Sequence, residues 1–379
     1  MIDFKKALEN KIKNSLSNNY GIENYDVFRF GEYREKMEIH SGAKKPINLR
    51  KALKNLIKKL IGYDSNRNFF ISKGNEYVTT YEFQIQSIWD NISKKDQELF
   101  VSLIAYRILG YKKVKLPRNN VAYWEAIKTA KLLSNPEDVY DPHFMHFILE
   151  KFDLKPIGFD IKFYFSDIGV AIDFVIEQYS YKINDKNIVY VESGDTVLDV
   201  GGCWGDTALY FANKSGSNGK VYSFEFIPDN IKLFEINTSL NPNLFSQIEL
   251  VRNPVSNTSG ELIYFKDNGP GSSVSFKPFE GQTGTASTIS IDDFVKSKKD
   301  IKIDFIKMDI EGAEPIALEG AIETIRKFRP KLAIAIYHSM DDFFNIPNWI
   351  LDLDLDYEIF IGHYTIHAEE TVCFAKPRN

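Results

Sequence analysis

Four polar residues, Asp199, Glu225, Asp309 and His338, each follow or close a short apolar run, and together they could handle a cationic donor and a proton. The first run, TVLDV at 196–200, carries Asp199 and passes into Gly201, Gly202 and Gly205 before the helical pattern ALYFA. A β-branched run, a glycine-rich turn and a helix start form a cradle in which backbone can approach a ligand and unpaired N–H groups face it. Dinucleotide sites space their glycines G-x-G-x-x-G over a pyrophosphate. Here an acid stands two residues before the first glycine, where it can pair with the ammonium of an amino-acid-like ligand. That spacing favours S-adenosylmethionine.

Glu225 lies near the end of a second run, Lys220–Phe226, in the region where an acid meets ribose hydroxyls. Asn253, after a third run, is a candidate for the adenine edge or a turn residue before Pro254. Trp204, inside the glycine turn, either packs on the ligand or anchors a neighbouring element. His338 is the candidate general base, because imidazole titrates near neutrality. Asp309 orients it, binds the donor or ligates a metal, and Lys307, two residues earlier on the same strand, shares its face. Asp309, Glu311 and Glu314 supply hard oxygen donors, so a divalent metal is an option, though not the favoured one, and no metal residue is assigned. Glu314 precedes Pro315 and also reads as a helix-dipole acid.

The motifs EQY at 177–179, GDTVLDVGGCWGDTALYFA from Gly194, KVYSFEFIPDN from Lys220, STISIDDF from Ser287, FIKMDIEGAEPIALEG from Phe305 and AIYHS from Ala335 together resemble the FkbM family of S-adenosylmethionine-dependent methyltransferases, over roughly Gln178 to Ala375. Two departures are Gly202, where the family often has alanine, and Phe226, where a proline commonly follows the ribose acid. The resemblance implies catalytic roles for His338, Asp309 and Glu311. It implies a cofactor site of Gln178, Tyr179, Asp199, Gly201, Gly202, Trp204, Gly205, Glu225, Phe226, Asn253 and Asp309. The implied reaction is O-methylation, with a sugar or glycan intermediate as acceptor. Competing readings are a nicotinamide-dependent oxidoreductase on a Rossmann-like domain and a non-catalytic S-adenosylmethionine binder.

Positioning these residues requires a sheet that gathers strand ends on one edge. From Gly194 onward short apolar strands alternate with helices, giving an α/β Rossmann-like class I methyltransferase domain with a mostly parallel seven-stranded sheet. The expected strands are 196–200, 220–226, 248–252, 303–308, 332–337, 357–361 and 372–375. The link between the last two is too short for a helical crossover, so they should pair antiparallel. A further hairpin is expected over Ser256–Lys266 around Ser259-Gly260, and the Gly/Ser/Thr-rich stretch 269–288 reads as a mobile loop. The aromatic segment 160–181 reads as domain packing or as a flap over the cofactor.

Residues 1–155 read as an α-rich N-terminal domain and 156–379 as the methyltransferase domain. The best N-terminal helix runs over Ser93–Leu109, with Ser93 as cap and Gly110 as stop. Asn48–Ile61 shows an apolar face opposite lysines and arginine, read as an ordinary domain helix. The 379 residues carry 47 basic and 52 acidic side chains, a net charge of −5, so no nucleic-acid partner is expected. Two cysteines, no secretory pattern and no long apolar run point to a cytoplasmic protein without a transmembrane segment. The acceptor's identity and the oligomeric state are not encoded in any motif.

Overall fold

The computed structural model describes residues 2–34 and 65–378; the amphipathic stretch Asn48–Ile61 lies outside the described residues. The chain divides into two compact units, one of Met1–Trp89, Gln97–Pro117 and Ile366–Ala368, the other of Asp90–Asp96, Arg118–Thr365 and Glu369–Asn379.

The first unit is helical. Its helices Ile2–Ser15 and Ser65–Thr80 approach closely at Gly74, where a Cβ would meet Ile12 Cδ1 at 2.9 Å. Phe4, Leu8 and Ile12 form the buried stripe of the first helix, at the i, i+4, i+8 spacing of one helical face. The helix Lys94–Leu109 starts behind Ser93, whose hydroxyl accepts the Asp96 N–H at 3.2 Å, and stops at Gly110, whose φ of 77° ends the helical path.

The second unit is built on a seven-stranded sheet. Its strands are β1 (Thr196–Val200), β2 (Lys220–Phe224), β3 (Ile248–Val251), β4 (Phe305–Met308), β5 (Lys331–Ala335), β6 (Tyr357–His363) and β7 (Thr371–Pro377). Their spatial order is β6-β7-β5-β4-β1-β2-β3, and only β7 runs antiparallel to its neighbours. Every residue of β4 is buried, as expected of a strand covered on both faces. Strand order reverses between β1 and β4, so a crevice opens at their C-terminal ends. In that pairing Lys307 stands opposite Asp199 and Met308 opposite Val200. The expected antiparallel pairing of the last two strands is present.

Two expectations for the stretch after β3 require correction. No hairpin forms around Ser259-Gly260. Gly260 turns with φ 85° into a strand, Leu262–Lys266, whose partners come later, at Ser273–Ser275 and Gly284–Ser287. The stretch read as a mobile loop therefore supplies two strands of a small antiparallel sheet. Ile263 and Phe265 are its buried face, and Gly284 leaves room for the Phe265 ring, which a Cβ would meet at 2.5 Å. The alternation that marks a strand lies in 262–266 alone; its polar partners are recruited by it. A second small sheet, Ser134–Tyr140, Leu149–Asp153 and Lys162–Phe165, precedes the main one. The aromatic segment continues from it into a π-helical turn, Ala171–Ile176.

Candidate active site

The glycine turn is fixed by contact on all sides. Gly201 has φ 92°, and a Cβ there would lie 1.9 Å from the Asp309 carbonyl oxygen; one on Gly202 would lie 2.0 Å from Ser223 Oγ. Gly205, with φ 86°, is the N-cap of the helix Asp206–Ser215 and provides no side-chain cap; the Asp206 carboxyl, pushed up to about 7 by burial, is approached by its own and the Thr207 backbone N–H.

Beneath the turn lies a buried ion pair, Lys307 Nζ to Asp199 Oδ1 at 3.2 Å, with the two side chains 2% and 0% exposed. Lys307 also donates to the Gly201 carbonyl at 2.5 Å. Asp199 accepts from Thr207 Oγ1 at 3.0 Å and from Ser223 Oγ at 2.7 Å. Burial pulls the Lys307 ammonium down, but the carboxylates of Asp199, Asp309 and Asp206 outweigh it and hold the group above its ordinary value. Three donors, Thr207, Ser223 and Lys307, thus tie the acid before the glycines to the scaffold of the turn.

Glu225 directly follows β2. Its Oε1 accepts the Phe226 and Ile227 N–H groups at 2.7 and 2.8 Å, and its Oε2 accepts from Asn230 Nδ2 at 3.1 Å. Burial pushes this carboxyl up to about 7. Phe226 stacks edge-on against Phe265 with centroids 5.6 Å apart, Asn253 donates to the Ser287 carbonyl at 2.9 Å, and Trp204 sits edge-on to Phe144 and Phe165.

The remaining polar groups converge after β4 and β5. Asp309 accepts from Tyr179 Oη at 3.3 Å and from Tyr337 Oη at 3.1 and 3.2 Å. His338 Nε2 lies 3.4 Å from Asp309 Oδ1 and 3.7 Å from Glu311 Oε2, while Nδ1 lies 3.1 Å from Glu314 Oε1. These approaches are coulombic rather than aligned hydrogen bonds. Both ring nitrogens, and Glu314 Oε2, are buried without a hydrogen-bond partner among the described residues. Burial pulls the imidazole down, but Glu314 first, then Asp309 and Glu311, overcome it and push the ring up to about 9. The sequence-based expectation of titration near neutrality is corrected by this ring of acids. Glu311 adopts φ 58° and stays exposed, whereas Glu314 is fully buried and accepts the Ile310 N–H at 2.7 Å. Gln178 donates to Glu370 at 2.6 Å. Asp309, Glu314 and His338 each place one ligand atom within 4.8 Å of the others, so they could also hold a cation; an imidazole beside two carboxylates suits a first-row transition metal better than Mg²⁺.

Sequence reasoning weighed Glu314 only as a metal oxygen donor or a helix-dipole acid and did not name Tyr337. The signals were present: Glu314 closes the block KMDIEGAE, and Tyr337 immediately precedes His338. A helix-start proline after Glu314 drew the reading toward dipole capping instead.

Residues 188–359 match the methyltransferase FkbM domain. No curated protein matches the chain. Solved structures that the chain matches include a methyltransferase FkbM from Methylobacillus flagellatus KT (16% identity, 86% of this chain and 70% of that one, TM-score 0.49). Others are an Aeropyrum pernix fibrillarin with natively bound S-adenosyl-L-methionine (13%, 63% and 99%, 0.32) and an SAM-dependent O-methyltransferase from Thermotoga maritima (14%, 55% and 71%, 0.31). The matched residues 188–359 hold the glycine turn, the strand-end acids and His338, so this part of the chain is a methyltransferase FkbM domain, and the protein is an S-adenosylmethionine-dependent methyltransferase.

Proposed function

We propose that the enzyme is an O-methyltransferase acting on a hydroxyl of a sugar or glycan intermediate, with His338 as the base. The observation that carries this reading is an imidazole whose two buried ring nitrogens lack a hydrogen-bond partner among the described residues, placed after β5 beside Asp309 and flanked by the acid Glu314. The glycine turn and Glu225 would hold the donor, which when bound would supply an activated methyl group for transfer to the acceptor oxygen. His338 Nε2 takes the hydroxyl proton that the acceptor must lose. Glu314, at Nδ1, orients the ring and stabilises the imidazolium; Asp309, steadied by Tyr179 and Tyr337, faces Nε2. Glu311 adds negative charge at the rim.

The family resemblance and the long N-terminal unit support a sugar-bearing acceptor over a minimal one. Two free cysteines, and the absence of any described helix long and apolar enough to cross a membrane, support a cytoplasmic setting. The cation reading of Asp309, Glu314 and His338 is the second option, and both are decided in one assay. Incubation with methyl-labelled donor and a panel of sugars, sugar nucleotides and glycan intermediates should label a hydroxyl, with turnover unchanged by EDTA. Label on nitrogen or carbon contradicts the reaction class, and loss of turnover on chelation restored by metal transfers His338 to the metal option.

The raised imidazole gives the reaction a pH signature. A base must be deprotonated to act, so with the ring near 9 in the free enzyme the rate rises with pH above 7 rather than reaching a plateau there. The donor's sulfonium charge shifts the limb to lower pH, never higher. Glu314→Gln removes the anion at Nδ1 and moves the limb further toward neutrality. A wild-type profile flat from pH 6.5 to 9, or a limb unmoved in the variant, contradicts the assignment.

A further inference from the structure

Glu225, directly after β2, has most of its hydrogen-bonding capacity in use before any ligand arrives. A carboxylate offers roughly four lone pairs. Those of Glu225 receive three donors: the Phe226 and Ile227 N–H groups on Oε1 at 2.7 and 2.8 Å, and Asn230 Nδ2 on Oε2 at 3.1 Å. By that count one position is left, on Oε2, whereas the vicinal diol of a ribose brings two O–H donors.

The neighbouring side chain carries a second acceptor. Pro228 opens the helix Pro228–Ser239, and Asn230 sits in its first turn, 3% exposed. An ionised carboxylate only accepts, so the Asn230 amide turns its NH₂ to Glu225, which leaves the carbonyl oxygen on the other side of the amide. That oxygen, Asn230 Oδ1, is buried without a hydrogen-bond partner among the described residues. An amide oxygen held out of water and unpaired is costly, and a ligand hydroxyl would relieve it. The turn Asp267–Ser272 lies against it: a Cβ on Gly269, whose φ is 55°, would be 3.7 Å from Asn230 Oδ1 and 3.7 Å from Phe144 Cβ. Glycine leaves that space unfilled. The turn is joined to the helix start by the Asp229 N–H on Asp267 Oδ2 at 3.2 Å, an exposed hydrogen bond of the kind that opens readily to admit a ligand group.

We propose that Asn230 is the second ribose anchor of the donor site: one hydroxyl of the diol takes the remaining position on Glu225 Oε2, and the other donates to Asn230 Oδ1. The proposal rests on the donor reading above and deepens it. One amide then has two tasks, bracing the acid through its nitrogen and holding the ligand through its oxygen, and selectivity for ribose over deoxyribose is divided between two side chains.

Calorimetric titration of the full chain with S-adenosylhomocysteine and its 2′-deoxy and 3′-deoxy analogues tests it. In the wild type, removal of either hydroxyl should weaken binding about fivefold or more, the scale of one hydrogen bond. In Asn230→Ala the loss for one of the two analogues should shrink to within about twofold, while the loss for the other persists. If both losses persist, the amide oxygen does not touch the diol; if both vanish, Asn230 acts only by bracing Glu225. Either result overturns the proposal. Should Asn230→Ala fail to fold, Asn230→Ser takes its place in the same cycle, and a wild type that tolerates loss of either hydroxyl overturns the proposal without any variant. A wild-type chain that does not bind S-adenosylhomocysteine at all refutes the donor site itself, and the proposal falls with it.

Discussion

His338→Ala lowers kcat by about 100- to 10,000-fold, the span that a positioned general base contributes, while the affinity for S-adenosylmethionine stays within about twofold. The size follows from the chemistry. An alcohol is a poor nucleophile until its proton departs, and the imidazole nitrogens are buried with no hydrogen-bond partner among the described residues. Retention of donor affinity follows from geometry, since the glycine turn is braced by Lys307, Asp199 and Ser223 and none of them touches His338. Single-turnover kinetics beside a donor titration separates the two quantities. Wild-type turnover in the variant removes the base assignment; loss of donor affinity in parallel means that the ring serves the pocket and not the proton.

Lys307→Met destabilises the fold by about 3–5 kcal/mol, the range found when one partner of a buried ion pair is removed. Methionine matches the length of the aliphatic stem, so the cost comes from charge: Asp199 is left fully buried without a counterion, and the Gly201 carbonyl loses its donor. Urea denaturation of the full chain measures it. The double variant Asp199→Asn/Lys307→Met should recover part of the loss, because the uncompensated carboxylate is gone. A single variant within about 1 kcal/mol of wild type would show that the pair is not what holds the turn.

The main sheet was legible because each of its strands is a short apolar run bounded by a polar or glycine stop, and such runs need only be counted and ordered. The glycine turn was legible for the same reason: Gly201 and Gly202 stand where no side chain fits. The small sheet around Leu262–Lys266 was hidden, since Ser273–Ser275 and Gly284–Ser287 carry no alternation of their own and become strands only by pairing with it. Register is likewise invisible in one dimension. The pairing that sets Lys307 beside Asp199 builds an ion pair beneath the turn that no run of residues announces.

At the site, the identities of Asp309 and His338 could be read from their place after apolar runs, but their electrostatics could not. The shift of His338 depends on Glu314, which arrives from the next helix, and on Glu311, held in a left-handed conformation beside Gly312. Trp204 was read both as a ligand contact and as an anchor; the structure gives it aromatic neighbours in Phe144 and Phe165.

The central claim is that the crevice at the ends of β1 and β4 holds a sulfonium donor with its reactive methyl toward His338. A crystal structure with S-adenosylhomocysteine tests it most directly. The account predicts the ribose diol at Glu225, the amino-acid group beside the start of the helix Asp206–Ser215, and the sulfur facing the space before His338. A product molecule bound elsewhere, or with its sulfur turned away from that imidazole, contradicts it.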